Sequence, residues 1–536
     1  MPTLTWTGKE DALRAASLVP FRLLEPHPAL EGGSFGDPKA AQDNLLIQGD
    51  NLEALKALLP YYAGRVKCIY IDPPYNTGSA FEHYDDNLEH STWLSTMYPR
   101  LELLRELLSE EGSIWVSIDD REGQYLKVTM DEVFGRGNFI ATVIWRKNYA
   151  PKGTAKHFSE DHDYIVVYGK NAEKWVPNPM PRSSKQDKAY KNVDNDPRGL
   201  WRPNNLAARN YYSKGTYPIT CPSGRIIPGP PPGSYWRVSE DKFNELNADG
   251  RIWWGKDGNN VPAPKIFLSE VKQGVVPQTF WSYEDVGHTQ EAKQEIVILF
   301  GDDVFLTPKP ERLIKRIIEI ATNPGDLVLD SFLGSGTTAA VSLKMSRRWI
   351  GIEMGDHAVT HCLPRLKKVV EGEQGGISES VGWKGGGGFR FTKLGETLFD
   401  AFGRLNPKVK FADLAALVWW RETKAPAFGG SVNTASPLLG IHEGRGIYLL
   451  YNGILGDKRP IGGNVLTSAV LALLPKHSGE RIIYAEATTY SPSSLAQKGI
   501  TFKQIPYDLG SLPLLSEGAL EFAAGMSPVA PEGSHV

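Results

Sequence analysis

The sequence predicts an α/β fold organised around an open parallel sheet, and three observations carry that prediction. Short apolar runs alternate with helical periodicity in two stretches, 44–168 and 308–370. A strand, a glycine turn and a helix follow one another over 327–343. Another strand, residues 66–71, runs straight into the rigid turn Asp72-Pro73-Pro74-Tyr75. Taken in order, residues 1–40 are mixed in pattern. Residues 66–71 form a β-like run, 93–108 have helical spacing, and 113–118 read as another strand. From about 169 to 300 the chain is rich in Pro, Gly, Asn, Trp and Tyr, with weak periodicity. A helix is then expected at 313–320, a strand at 327–329, a helix at 337–343 and a strand at 349–352. Eight glycines within 372–388 predict a flexible linker. The expected organisation is therefore an N-terminal segment (1–40), two halves of one α/β domain (41–170 and 301–371) around an insertion (171–300), a linker (372–388) and a small C-terminal α/β domain (389–536).

A chain of 536 residues has room for two or three cores. No apolar run approaches the roughly 18 residues of a membrane span. The first ten residues lack the basic and then apolar pattern of a secretory signal. Cys68, Cys221 and Cys362 are scattered and outside any CxxC pair, which argues against a disulfide framework and a cysteine-rich zinc site. No metal is expected, and a reducing cytoplasm is the expected compartment. The formal net charge of −3 hides an asymmetry. Between Ile140 and Arg225 there are 15 Lys and Arg against 7 Asp and Glu, so the remainder carries −11. A basic segment on an acidic body is the footprint of a protein that grips phosphates through one region.

Leu327-Val328-Leu329-Asp330 leads into Ser331-Phe332-Leu333-Gly334-Ser335-Gly336-Thr337-Thr338 and a helix-forming stretch. Glycines there permit a tight turn and close backbone approach to a nucleotide-like ligand. Glu353 lies 23 residues after Asp330, at the end of the next expected strand, suited to accepting hydrogen bonds from two ribose hydroxyls. A phosphate loop would need Gly-Lys-Ser/Thr, and no Lys is present. A dinucleotide site would want a third glycine and a helix start facing pyrophosphate. S-adenosylmethionine, with an ammonium and a sulfonium but no phosphate, suits an acidic glycine loop better; a purely structural βα turn is the plainer alternative.

Asp72-Pro73-Pro74-Tyr75 is the stronger signal. An exocyclic base amine is a poor nucleophile because its lone pair is delocalised into the ring. Two acceptors aimed at its N–H bonds, the Asp72 carboxylate and the Pro73 carbonyl, would localise that pair and stabilise the charge that develops. Pro73 and Pro74 fix φ and lack N–H groups, so the turn is stiff. Tyr75 offers a ring face for an extruded base. Read alone, the four residues could be only a rigid turn after a strand.

Together, Asp72-Pro73-Pro74-Tyr75 and Phe332-Leu333-Gly334-Ser335-Gly336 resemble the two hallmark motifs of amino-group DNA methyltransferases, in the β-type order with the catalytic motif first. Among these the chain is most similar to the modification subunits of Type III restriction–modification systems and related site-specific adenine methyltransferases. The likeness runs from about Asn44 to Val370 and extends to the C-terminal unit. It implies a Rossmann-like S-adenosylmethionine-dependent methyltransferase sheet with an inserted target-recognition domain. Asp at the first motif position implies adenine N6 rather than cytosine N4. The likeness further places Asp50 and Asn51, in Gln48-Gly49-Asp50-Asn51, against the cofactor's adenine. It makes Thr307-Pro308-Lys309-Pro310 the methionine-binding segment, with Asp72, Asp330, Phe332, Gly334, Ser335, Gly336, Thr337, Thr338 and Glu353 completing the cofactor set. Implied partners are double-stranded DNA, a second copy of the chain and a restriction nuclease–translocase. The chain itself shows no Gly-Lys-Thr/Ser loop to power translocation.

The target base is hidden in a duplex and must be swung out, at a cost of about a few kcal/mol. The insertion supplies side chains suited to offsetting that cost: Arg198, Trp201, Arg202, Asn204, Asn205, Arg209, Tyr211, Tyr212, Lys214 and Arg225. Arg pairs with guanine edges and Asn with adenine edges, although any single Trp is more often core than base-stacking. Asp119-Asp120 lines the target pocket or caps a solvated loop. The loop 76–87 is a candidate cover for the flipped base. Competing functions are methylation of cytosine N4, RNA or a protein amide, and a specificity subunit whose main task is guiding a nuclease.

Overall fold

Near-continuous apolar runs, which suit strands buried on both faces, become the middle of an eleven-stranded sheet. The computed structural model describes residues 3–76, 89–182, 187–271, 274–301, 307–400, 403–427, 432–456 and 463–509. The strands are β1 (Arg22–Pro26), β2 (Ser34–Gly36), β3 (Leu45–Gln48), β4 (Val66–Ile71), β5 (Leu108–Ile118), β6 (Phe139–Arg146), β7 (His162–Gly169), β8 (Phe280–Trp281), β9 (Leu327–Asp330), β10 (Arg348–Glu353) and β11 (Gly388–Thr397). Their order is β1-β11-β3-β10-β9-β4-β5-β7-β6-β8, with β2 paired to β11. From β11 to β5 the strands are parallel, while β7 is antiparallel to both β5 and β6. The α/β class predicted from sequence is the observed one. β4 and β9 pair directly, Cys68 with Val328 and Ile69 with Leu329, although the whole middle region separates them in sequence.

Helices cover this sheet: α1 (Asn51–Tyr62), α2 (His90–Leu107), α3 (Glu311–Ala321) and α4 (Thr337–Lys344). α3 forms because Leu313, Ile314, Ile317, Ile318 and Ala321 recur at helical spacing, and all five are buried. Burial of each of the Leu and Ile side chains among them contributes about 1.5–3 kcal/mol. α1 starts at Asp50, whose Oδ1 accepts the N–H groups of Leu52 (2.8 Å) and Glu53 (3.3 Å). Among the described residues, no helix is long and apolar enough to cross a membrane.

The glycine-rich stretch does not behave as the expected tether. Gly372 and Gly385 approach one another so closely that a Cβ on either would meet the other's backbone at about 3 Å. The chain then enters β11, between β1 and β3 of the main sheet. The C-terminal segment has its own four-stranded sheet, Leu438–His442, Arg445–Leu449, Arg481–Ala485 and Ile500–Gln504. Its helix Phe411–Thr423 nevertheless joins the central core, sharing a cluster with Leu55 and Leu58 of α1, and Asp413 accepts the Tyr61 hydroxyl at 3.2 Å. The glycines permit tight crossings here rather than freedom, so the last third is fastened to the sheet at its root.

Residues Pro179–Pro277 form a second compact unit; β8 and the helix Thr289–Phe300, expected inside the insertion, belong to the first. The second unit is built from short antiparallel ladders: Trp201–Pro203, Ala263–Phe267 and Ile252–Trp253 form one, and Ala207–Ala208 pairs with Tyr235–Trp236. Leu206, Tyr217, Ile219, Trp236, Phe243 and Ile252 make its core.

Candidate active site

Parallel neighbours present their carboxyl ends at one edge of a sheet, where open α/β folds bind ligands. Here that edge collects Asp50 after β3, Glu353 ending β10, the glycine loop after β9, Asp72 after β4 and Asp119 after β5. Gln48 pairs with Glu353 and Ile69 with Leu329, so the segments expected to converge do so in register.

The acidic turn is braced from several sides. Pro73 is buried, and Trp93 of α2 donates its indole N–H to the Pro74 carbonyl at 2.8 Å. Asp72 Oδ2 pairs with the Lys309 ammonium, which also lies 5.2 Å from the centre of the Tyr75 ring. Asp72 Oδ1 and the Tyr75 hydroxyl are both buried, and neither completes a well-formed hydrogen bond. Burial, followed by the negative charge of Asp72, holds the Tyr75 hydroxyl well above its ordinary pKa. Lys309 thus contacts the acidic turn, whereas the resemblance makes it part of a methionine-binding segment. Of its neighbours, Thr307 is exposed, and Pro310 is buried as the N-cap of α3.

Sequence reasoning missed the groups packed around the turn. Asp163, 2% exposed on β7, accepts Lys147 Nζ at 2.5 Å. Burial raises the Asp163 pKa, the Lys147 and Lys309 charges oppose the rise, and Asp72 adds to it. Asn76, at φ 60°, donates to Glu122 Oε1 at 2.7 Å, and His90 Nδ1 meets the same oxygen at 2.6 Å. Glu122 is wholly buried. A buried carboxylate two residues after Asp119-Asp120 leaves no local pattern by which to find it. The loop 76–87 lies, beyond Asn76, outside the described residues. Asp119, with one side-chain oxygen accepting the Arg121 N–H at 2.9 Å, is raised in pKa mainly by burial.

The glycine loop is tightly cross-linked. Gly334 and Gly336 have φ of 56° and 82°, the left-handed region that glycine adopts without a Cβ penalty. A Cβ on Gly336 would also sit 3.4 Å from Cys362 Cα. Gly334 N–H donates to Glu353 Oε2 at 2.7 Å, and Gly355 N–H reaches Oε1 at 3.3 Å. Asp330 is spent inside the loop: Oδ1 accepts the Phe332 N–H at 2.9 Å and Oδ2 the Thr338 hydroxyl at 2.6 Å. Burial pushes its pKa up to about 7, against those two hydrogen bonds and with Asp72 and Glu353 adding to the rise. Phe332 is buried, and the Ser335 and Thr337 hydroxyls lie 3.1 Å apart. Beneath them buried Arg365 donates to Thr337 Oγ1 (2.9 Å) and to Glu311 (2.9 Å), which also pairs with buried Lys344 at 2.8 Å. Asn51 ties this loop to α1 by donating to the Ser331 carbonyl at 2.8 Å. Arg100 binds Asp50 Oδ2 at 3.0 Å and also contacts Asn51.

In the second unit the ten expected DNA-contacting residues divide. Trp201 is buried and donates to Asp194 at 2.8 Å. Arg198 is paired with Asp196 (2.8 Å) and Asp249 (3.1 Å). The buried indole and the doubly paired guanidinium thus have partners within the unit. Asn205 caps the Ala207 N–H at 3.0 Å, and Arg225 donates to the Asn259 carbonyl at 3.0 Å. Asn204 is half-buried. Arg202, Arg209, Tyr211, Tyr212 and Lys214 are exposed, with Tyr211 at 77%; Arg202 also reaches the Tyr190 hydroxyl at 3.1 Å.

A parallel sheet whose carboxyl edge carries a stiff acidic turn beside a left-handed glycine loop is the arrangement in which open α/β folds hold their ligands. The chain matches the family model described as a DNA methylase over residues 66–226 and 234–363, more than half its length, and belongs to that family. It is 37% identical over 368 residues to the Mod subunit of the Type III restriction-modification enzyme StyLTI of Salmonella typhimurium (strain LT2), covering 63% of this chain and 55% of that one. It is 33% identical over 415 residues to the Mod subunit of the probable Type III enzyme HindVI of Haemophilus influenzae, covering 66% and 54%. It is 32% identical over 319 residues to the Type II methyltransferase M.EcaI of Enterobacter cloacae, covering 58% and 66%. The chain therefore spans little more than half the length of the two Mod subunits.

Proposed function

We propose that the chain is a site-specific DNA methyltransferase that moves the methyl group of S-adenosylmethionine to N6 of an adenine swung out of duplex DNA. The observation that carries this reading is the meeting of the acidic turn and the glycine loop on adjacent strands, with buried polar atoms there awaiting partners. Asp72 Oδ1, the Tyr75 hydroxyl and Ser331 Oγ complete no well-formed hydrogen bond, although the Tyr75 hydroxyl and the Asp72 carboxylate interact with one another; a buried polar atom left wholly unsatisfied costs about 1–3 kcal/mol. A ligand rich in hydroxyl and amino groups would satisfy them. The residues around them fit S-adenosylmethionine: two left-handed glycines admit close backbone approach, and Asp50, Asn51 and Glu353 flank the loop. When bound, that cofactor supplies a methyl on a sulfonium. The chain's residues do the rest. Asp72 and the Pro73 carbonyl accept the two amine N–H bonds, the Tyr75 ring supports the base, and the braced turn holds the amine in line.

The relatives named as Mod subunits support a restriction–modification setting, in which the exposed cations of the second unit grip duplex phosphates and a nuclease–translocase joins a dimer of this chain. The test is incubation of the full chain with duplex DNA and isotopically labelled cofactor, followed by mass spectrometry of the hydrolysed bases. N6-methyladenine at a single sequence context is expected. Label in N4-methylcytosine would move the target to cytosine, and label in no base would end the reading. Light scattering checks the dimer, and co-purification from the native host checks the ATP-dependent partner.

A further inference from the structure

A carboxylate that must accept an amine N–H in one geometry has to be kept from rotating, and one oxygen has to be left for the amine. The turn's backbone is fixed by Pro73 and Pro74 and by the Trp93 indole on the Pro74 carbonyl. The side chain is fixed by Lys309, which takes Oδ2, while buried Oδ1 completes no well-formed hydrogen bond. Lys309 is as stiffly mounted as Asp72. Pro308 precedes it and Pro310 follows it; both prolines are buried, and Pro310 opens α3. Two proline-braced turns, from opposite ends of the motif order, thus present opposite charges to one another.

We propose that Lys309 is a positioning residue of methyl transfer, holding Asp72 Oδ2 so that Oδ1 faces the target amine. The assignment rests on the methyltransferase reading and differs from a role in gripping the cofactor's methionine end. Lysine suits the task because its ammonium is a compact point donor that can engage a single oxygen. The forked guanidinium of arginine pairs with carboxylates through both oxygens and would cover the one the amine needs.

The two roles separate in one experiment on the full chain. Single-turnover methyl transfer is measured at saturating cofactor on a duplex the wild type methylates. Affinity for S-adenosylhomocysteine, which lacks the transferable methyl, is measured by calorimetry. Lys309→Met should slow transfer by about 100-fold, the scale of a one-ångström misplacement, with S-adenosylhomocysteine affinity unchanged. Lys309→Arg, which keeps the charge, should also be slow and also bind normally. The arginine variant decides the matter if the methionine variant fails to fold. Wild-type rates in Lys309→Arg, or a loss of affinity matching the loss of rate, would overturn the assignment. A wild-type chain that methylates no base would overturn the underlying function instead.

Discussion

Asp330 ends β9 and Asp72 follows its neighbour β4, yet the fold gives the two carboxylates opposite surroundings. Asp330 has both oxygens satisfied within its own loop, and burial pushes its pKa up to about 7. Asp72 has one oxygen paired and the other buried beside the Tyr75 hydroxyl. Asp72→Ala should therefore abolish methyl transfer while cofactor and DNA still bind at least in part, as single-turnover assays and calorimetry would show; near-normal turnover would remove Asp72 from the chemistry. Asp330 predicts a pH dependence of stability. Its folded pKa lies above its unfolded value of 3.8, so the unfolded chain releases this proton first as pH rises. Stability should fall from about pH 4 to about pH 7 and level off above, by at most about 1.4 kcal/mol per pH unit. Asp330→Asn keeps an acceptor for Phe332 N–H and can donate to Thr338, so it lacks that slope. Melting temperatures of the two proteins should diverge between pH 4.5 and 7 in favour of the variant; parallel curves would contradict the assignment.

Elements with strong local pattern were legible in the sequence, and those made by distant pairing were not. The run expected at 66–71 is β4, and the helix expected at 313–320 is observed as α3 with one or two more residues at each end. β5 begins at Leu108 rather than near 113, because pairing with β4 extends it beyond its apolar centre. β11 escaped notice because glycines precede it, and its place beside β3 depends on a partner more than 300 residues away. The turn and the glycine loop were readable because their chemistry is compressed into a few adjacent residues. Lys147, Asp163, Glu122 and His90 had no such signature, since only the sheet brings them near Asp72 or Asn76. The loop itself gives a prediction at this scale. Gly334→Val forces a β-branched residue to φ near 56°, a strain of about 1–2 kcal/mol, and disturbs the N–H donated to Glu353. Calorimetric affinity for S-adenosylhomocysteine should drop by about five- to thirtyfold, since the free loop of the variant can relax out of that strain and must take it up again on binding; unchanged affinity would count against the loop as the cofactor site.

For the whole molecule, the sign of the net charge is a poor guide to its partner, because the charge is unevenly placed. From Pro197 to Ser239 there are six Lys and Arg and no Asp or Glu, on a chain whose total is −3. Arg198, one of the six, is neutralised by Asp196 and Asp249, whereas Arg202, Arg209 and Lys214 are exposed on a surface whose own segment supplies no acid. The acidic remainder repels a polyanion, so the phosphates of duplex DNA should be gripped chiefly by this lobe, and that part of the binding should be governed by counterion release. Each phosphate contact contributes about 0.9 to the slope of log affinity against log salt concentration. Replacing Arg202, Arg209 and Lys214 together with Gln should reduce that slope by up to about 3 for all duplex sequences alike. The melting temperature should scarcely move, because exposed substitutions cost little. Loss of affinity for one sequence only, with the slope intact, would instead make these side chains readers of base edges. An unchanged slope and affinity would place the phosphate grip on another part of the chain.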